Sequence, residues 1–184
     1  MKKIDWNNLM QVTPISYICG HCGNQIATKL GYYAGPNYCI YICPFCTKPT
    51  YFEHAVQMPG AVFGDEVDHL PDDIDGLYQE ARRCITTSSF TTAVMAIRKL
   101  LMNIAVNKGA KPNRDFWEYV DYLDSKGYIP PDNRAWVEHI RLKGNEANHE
   151  IKLMSEADAK ELISFLGMLL KFVFEFPSKI TPSP

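Results

Sequence analysis

The sequence predicts an α+β protein that is mainly α, a small four-cysteine ribbon followed by an antiparallel helical bundle. Three observations predict it. Four of the six cysteines fall in two Cys-x-x-Cys pairs before residue 50. Short aromatic and β-branched runs, punctuated by Gly, Pro and Asn, fill the same stretch and read as strands. Beyond Pro71 the apolar period changes from two to about 3.6 and stays there.

The ribbon comes first. Cys19-Gly20-His21-Cys22 is followed, after twenty residues, by Cys43-Pro44-Phe45-Cys46. Each pair offers two sulfurs from one tight turn, and two such turns complete the tetrahedron of soft ligands that zinc prefers. Gly20, Gly23 and Pro44 stand where such turns need a constrained backbone. Cys19, Cys22, Cys43 and Cys46 are therefore expected to hold one structural Zn2+ per chain. Four protein ligands leave no open position for water or substrate, so the metal holds the fold and does no chemistry. Other accounts are four unligated core thiols, a ligand set in which His21 or Cys39 replaces a cysteine, and a redox dithiol, which expects a βαβ context that is absent. Cys39 and Cys84 are expected to be free, buried thiols. Ile15 to Ile18, Tyr38 to Ile42 and Thr50 to Glu53 read as strands, and Tyr32, Tyr33, Tyr38 and Tyr41 crowd the module. They either pack on those strands or offer faces on which bases stack.

The module takes residues 1–58 and a linker residues 59–71. A helical domain spans 72–176, and a Pro- and Ser-rich tail 177–184. The first helix opens at Pro71-Asp72-Asp73, whose acids suit a helix N-terminus, with Ile74, Leu77, Tyr78, Ala81 and Ile85 on one face. The second starts after Ser88 or Ser89 and carries Phe90, Ala93, Val94, Ile97, Leu100, Leu101, Ile104 and Ala105 as its stripe, ending at Lys108-Gly109. The third runs from about Arg114 to Lys126. The fourth begins after Pro130-Pro131-Asp132. The fifth starts at a capping box, Ser155 with Asp158, and reaches about Phe174. Short connections between amphipathic helices favour antiparallel packing.

On the fourth helix, Trp136, Val137 and Ile140 set the core direction, while Arg141, Asn145 and His149 follow at intervals of four as a row away from it. A solvated face is the ordinary account of such a row. The same three residue types also suit phosphate binding and proton transfer. Gly144 inside the helix costs about 1 kcal/mol relative to Ala, which a bend or a close ligand would explain. Arg98 on the second helix is a further phosphate candidate, set against an ordinary exposed arginine beside the core.

Ala93 to Leu101, Ile140-Arg141-x-x-Gly144-Asn145-x-x-x-His149 and Ser155 to Ala159 resemble the family catalogued as domain of unknown function 4145, over roughly residues 70 to 176. That family is similar to the HEPN superfamily of helical, usually dimeric domains, many of them metal-independent endoribonucleases of toxin or phage-defence systems. The resemblance implies a HEPN-like bundle that forms a homodimer through the helical domain, with catalytic Arg141, Asn145 and His149. His149 would serve as general acid or base, Arg141 would stabilise phosphate charge, and Asn145 would orient them. Seven residues separate Arg141 from His149, more than active HEPN enzymes show. In a straight helix that is about 12 Å of rise, so a bend at Gly144 or a two-fold pairing would have to close the gap. The alternative is a non-catalytic dimerising interaction module that binds nucleic acid or a partner protein.

Composition bounds these readings. A net charge of −2 and a pI near 6.2 exclude a surface that grips nucleic acid all over, so any such contact is a local patch. No apolar stretch follows Lys2-Lys3 as a signal peptide requires, and Leu162 to Phe174 is too short and too polar to span a bilayer. The expected setting is cytoplasmic with no membrane partner, where thiols stay reduced and cysteines favour metal. No Gly-rich phosphate loop and no serine or cysteine hydrolase constellation is present.

Overall fold

The computed structural model describes residues 3–129, 142 and 153–180. The chain divides into two compact units. One comprises Met1–Val62 with Thr86–Ser88, and the other Phe63–Ile85 with Ser89–Pro184.

The first unit is a five-stranded antiparallel meander. Its strands are β1 (Met10–Ile18), β2 (Gln25–Tyr33), β3 (Tyr38–Ile42), β4 (Pro49–Glu53) and β5 (Val56–Met58), and they pair in chain order. Pairing is fixed by registers such as Tyr17↔Ile26, Gly31↔Tyr41 and Tyr41↔Thr50. A bulge between Gln11 and Ile15 bends β1. The sheet curls enough for Gln57 Nε2 on β5 to donate to the Ile18 carbonyl at the end of β1, at 2.8 Å. Inside the curl lie Val12, Tyr17, Ile26, Tyr41 and Phe52 with Cys19 and Cys43. Three rings form the centre, with Phe52 edge-on to Tyr17 at 5.1 Å and to Tyr41 at 5.5 Å.

The second unit is helical. It contains α1 (Asp72–Thr86), α2 (Phe90–Asn107), α3 (Phe116–Ser125), α4 (Glu156–Leu170), a π-helical turn (Lys171–Glu175) and α5 (Phe176–Ile180). Helix α2 packs against both α3 and α4 and buries Ala93, Val94, Ile97, Leu100, Leu101, Ile104 and Ala105, the stripe its 3.6 period sets out. Capping boxes start α3 (Asp115 with Glu118) and α4 (Ser155 with Asp158). The segment before α1 is strapped to this unit. The buried Arg82 donates to the Phe63 and Gly64 carbonyls at 3.1 and 2.9 Å, Tyr78 Oη donates to the Asp65 carbonyl at 2.8 Å, and Val67 enters the core.

These findings correct the expected fold class. The described residues are 44% helix and 20% strand, and the strands form one five-stranded sheet that frames the N-terminal unit. The protein is α+β, and neither the mainly α description nor a HEPN-like antiparallel bundle is established. The sheet outgrew the expected ribbon through β2 and β5, which the strand patterns did not single out. In β2 the reason is Gly31. A Cβ there would lie 2.0 Å from the Ile40 carbonyl oxygen, so close backbone approach selects a residue with poor strand propensity.

Candidate metal centre

The meander explains why the cysteines meet. Turns one and three of an up-and-down sheet emerge at the same end, and these two turns carry the Cys-x-x-Cys pairs. Residues 19–24 join Ile18 to its partner Gln25, and residues 43–48 join Ile42 to its partner Pro49. Neighbouring strands lie about 4.8 Å apart, so turns two strands apart begin near 10 Å from one another. The curl of the sheet closes that gap.

The two turns repeat one hydrogen-bond scheme. In the first, Cys19 N–H donates to the Asn24 carbonyl and Gly23 N–H to the Cys19 carbonyl, both at 2.9 Å. In the second, Cys43 N–H donates to Lys48 at 3.1 Å and Thr47 N–H to Cys43 at 2.9 Å. The residue after each second cysteine is left-handed, Gly23 with φ 70° and Thr47 with φ 57°. Glycine accepts that region freely, whereas a β-branched residue is strained there. Gly20 has a different reason to lack a side chain: a Cβ would meet the Gly60 carbonyl oxygen at 2.2 Å.

The four sulfurs lie within 4.8 Å of one another. Cys19 Sγ is 3.7 Å from Cys46 Sγ, and Cys22 Sγ is 3.8 Å from Cys43 Sγ. A regular tetrahedron of thiolates with bonds of about 2.3 Å has edges of about 3.8 Å. The cluster therefore fits one tetrahedral metal ion. Cys19 and Cys43 are fully buried, and Cys22 and Cys46 are half-exposed. In the metal-free thiols, burial pushes Cys46 up to about 12. Burial also raises Cys22, but the Asn24 backbone and side-chain N–H groups and the neighbouring thiols outweigh it and pull Cys22 down to about 7. A metal ion would hold all four as thiolates.

His21 does not ligate. Its Nε2 is 2.9 Å from the Pro49 carbonyl oxygen at the start of β4, and its backbone N–H reaches Cys19 Sγ at 3.5 Å. Cys39 and Cys84 are half-buried and lie outside the four-sulfur cluster, with burial raising the Cys84 thiol. Of the tyrosines, Tyr41 packs in the core, Tyr32 lies against Trp6 and donates to the Asn7 carbonyl, and Tyr33 and Tyr38 are exposed. Arg98 sits with its guanidinium 4.2 Å from the Phe116 ring centroid. Arg141, Asn145 and His149, with the helix expected around them, lie outside the described residues; Leu142 within that stretch is helical and exposed. Trp6 and Thr47 went unread in the sequence. Their signal is weak, a lone Trp near the terminus and a Thr where the first turn has Gly. Among the described residues no helix is long and apolar enough to cross a membrane.

Sheet and cluster define a class: a β-module closed on a four-cysteine cluster that fits a metal ion, carried on the same chain as a helical unit. Residues 79–182 match the family described as Domain of unknown function (DUF4145), and the chain belongs to that family. No curated protein and no solved structure matches the chain.

Proposed function

We propose that this chain is a zinc-stapled, non-catalytic interaction module of a reducing, cytoplasmic setting, whose sheet docks a partner protein. One observation carries the docking role: the outer face of the curled sheet is largely apolar and exposed among the described residues. Ile40 pairs with Tyr51, and Tyr51 with Met58, in one cross-strand row, and Tyr38 and Val56 flank Glu53 in the next. Tyr38, Ile40, Val56 and Met58 are between 36% and 60% exposed. Contiguous exposed apolar surface with tyrosine is the composition of a protein interface. The tetrahedral spacing and all-sulfur donor set favour zinc, and four ligands leave it no site for catalysis. The test is a paired substitution, Ile40→Asp with Met58→Asp. It should abolish partners that copurify with the wild-type chain while zinc content, read by elemental analysis, stays at one per chain. Unchanged partners would refute the docking role, and a wild-type chain without zinc would refute the staple.

The second reading is a metal-independent endoribonuclease of a phage-defence or toxin-type system, acting through Arg141, Asn145 and His149. The four-residue spacing of that row and its position inside the family match favour it. It predicts RNA cleavage in a chelator that leaves the structural zinc in place, lost in His149→Ala. Intact RNA with both proteins returns the choice to the interaction module. A homodimer through the helical unit fits either reading. Phe172 and Phe176, both exposed on that unit, supply the apolar contact, and sedimentation of the wild type against Phe172→Asp tests it.

A further inference from the structure

The two half-exposed ligands are the ones through which the metal centre can open, because Cys19 and Cys43 are sealed in the core. Each half-exposed ligand has a chain neighbour tied to a distant part of the same unit. His21, just before Cys22, meets the Pro49 carbonyl through Nε2 at 2.9 Å. Thr47, just after Cys46, accepts at its carbonyl a 2.7 Å hydrogen bond from Trp6 Nε1, and at its Oγ1 another of 2.7 Å from the Ile4 backbone N–H. Thr47 also occupies the left-handed position that Gly23 fills in the first turn. A strained backbone held by long-range bonds on both sides is over-determined by its surroundings, and such positions recur at functional sites.

We infer that His21 and Trp6 are positioning residues of the metal centre: each pins the turn beside one of the two less deeply buried cysteines, Cys22 and Cys46, and so slows the departure of the bound ion. The inference rests on the four-thiolate reading above. His21 is bound to Pro49 on the far side of the first turn, so its role is to anchor and not to ligate. An Nε2–H donates to that carbonyl whether the ring is neutral in that tautomer or protonated. Trp6 acts as a strap, its ring against Tyr32 at 6.2 Å between centroids and its N–H on Thr47. Metal loss needs one turn to swing away from the other, and a tether next to the moving ligand raises the barrier by about the strength of the bond that must break. These outer contacts correspond to the supports that orient ligands in metal sites generally.

The test uses the full chain loaded with zinc, mixed with excess chromogenic chelator, and reads the rate of zinc transfer. His21→Ala and Trp6→Phe should each release zinc roughly two- to tenfold faster, the range one hydrogen bond supplies, while both still hold one zinc per chain. His21→Gln places an amide nitrogen where Nε2 lies and should restore the wild-type rate, which a general loosening of the fold would not. Trp6→Phe keeps a ring against Tyr32 and reads the second tether if His21→Ala folds poorly. His54→Ala, on the β4–β5 turn, should leave the rate unchanged. Wild-type rates in both His21→Ala and Trp6→Phe would overturn the inference, as would a His21→Gln variant as fast as His21→Ala. A wild-type chain that binds no zinc would overturn the metal centre itself, and its tethers with it.

Discussion

Stripping the metal, or replacing Cys43 with Ser, should unfold the N-terminal sheet and leave the helical unit standing. The magnitude follows from what else holds the sheet. Its buried hydrophobic cluster is Val12, Tyr17, Ile26, Tyr41 and Phe52 with two of the ligands themselves, and Ile42 and Thr50 are buried beside it. A structural zinc contributes about 10–16 kcal/mol to folding, as large as the whole stability of an ordinary domain at about 5–15 kcal/mol. No core of this size replaces it. Cys43→Ser also leaves a hydroxyl at a fully buried position, and loss of a structural metal belongs to the short list of changes that cost more than about 4 kcal/mol. Two signals separate the units. Near-ultraviolet circular dichroism follows the Tyr17–Tyr41–Phe52 cluster, and far-ultraviolet helicity follows α1 to α4. The expected result on stoichiometric zinc removal is loss of the tyrosine signal, with amide protection in β1 to β4 falling to that of an open chain while helicity persists. A metal-free chain that keeps the tyrosine signal and its strand protection would refute the claim that the metal is structural.

Other perturbations test the packing around these features. Arg82→Ala should destabilise the helical unit by about 3–6 kcal/mol, since two backbone carbonyls lose charged donors worth about 1.5–3 kcal/mol each; Glu66→Gln should cost under about 1 kcal/mol because that carboxylate is 77% exposed. Equal losses in denaturant melts of the two variants would contradict this. Tyr17→Phe should be neutral or stabilising by about 1 kcal/mol, since Tyr17 Oη is buried and makes no hydrogen bond of good geometry, and burial pushes its phenol up to about 12; a clear loss in thermal melts would show a bond in solution. Glu175 is held below the ordinary carboxylate value of 4.5 by Lys179, then by the Asp68 N–H. Its contribution is complete above that value and is lost as pH falls through the depressed folded one. Glu175→Gln should therefore flatten the acid limb of the helical unit's stability, and an unchanged limb would refute it.

The helical unit was legible because its signals are local. The stripe on α2 and the box at Ser155/Asp158 are read within a few residues of where they act, whereas the box at Asp115/Glu118 was not singled out. The four cysteines were legible for a different reason. Their spacing encodes chemistry that holds in whatever fold brings them together. What the sequence concealed was long-range. The extent of the sheet depends on Gly31 meeting Ile40, and the tethers depend on Trp6 reaching Thr47, forty-one residues away. Neither partner carries a mark of the other in its own neighbourhood. His21 was visible as a possible ligand, and only its bond to Pro49 shows that it supports the site from outside.

The arrangement also explains how a small sheet can leave tyrosines and aliphatic residues on its outer face. In most antiparallel sheets one face builds the core and the other is polar, because stability must come from the buried side alone. Here two of the hairpin turns meet at their tips in the four-cysteine cluster. The curl that brings Cys19 toward Cys46 also draws β1 and β5 together through Gln57 and Ile18. The inner face then needs few residues to be closed, and the strands are fixed from their ends. That frees Tyr38, Ile40, Val56 and Met58 from any duty to the module's own core, which is the condition the proposed docking role requires.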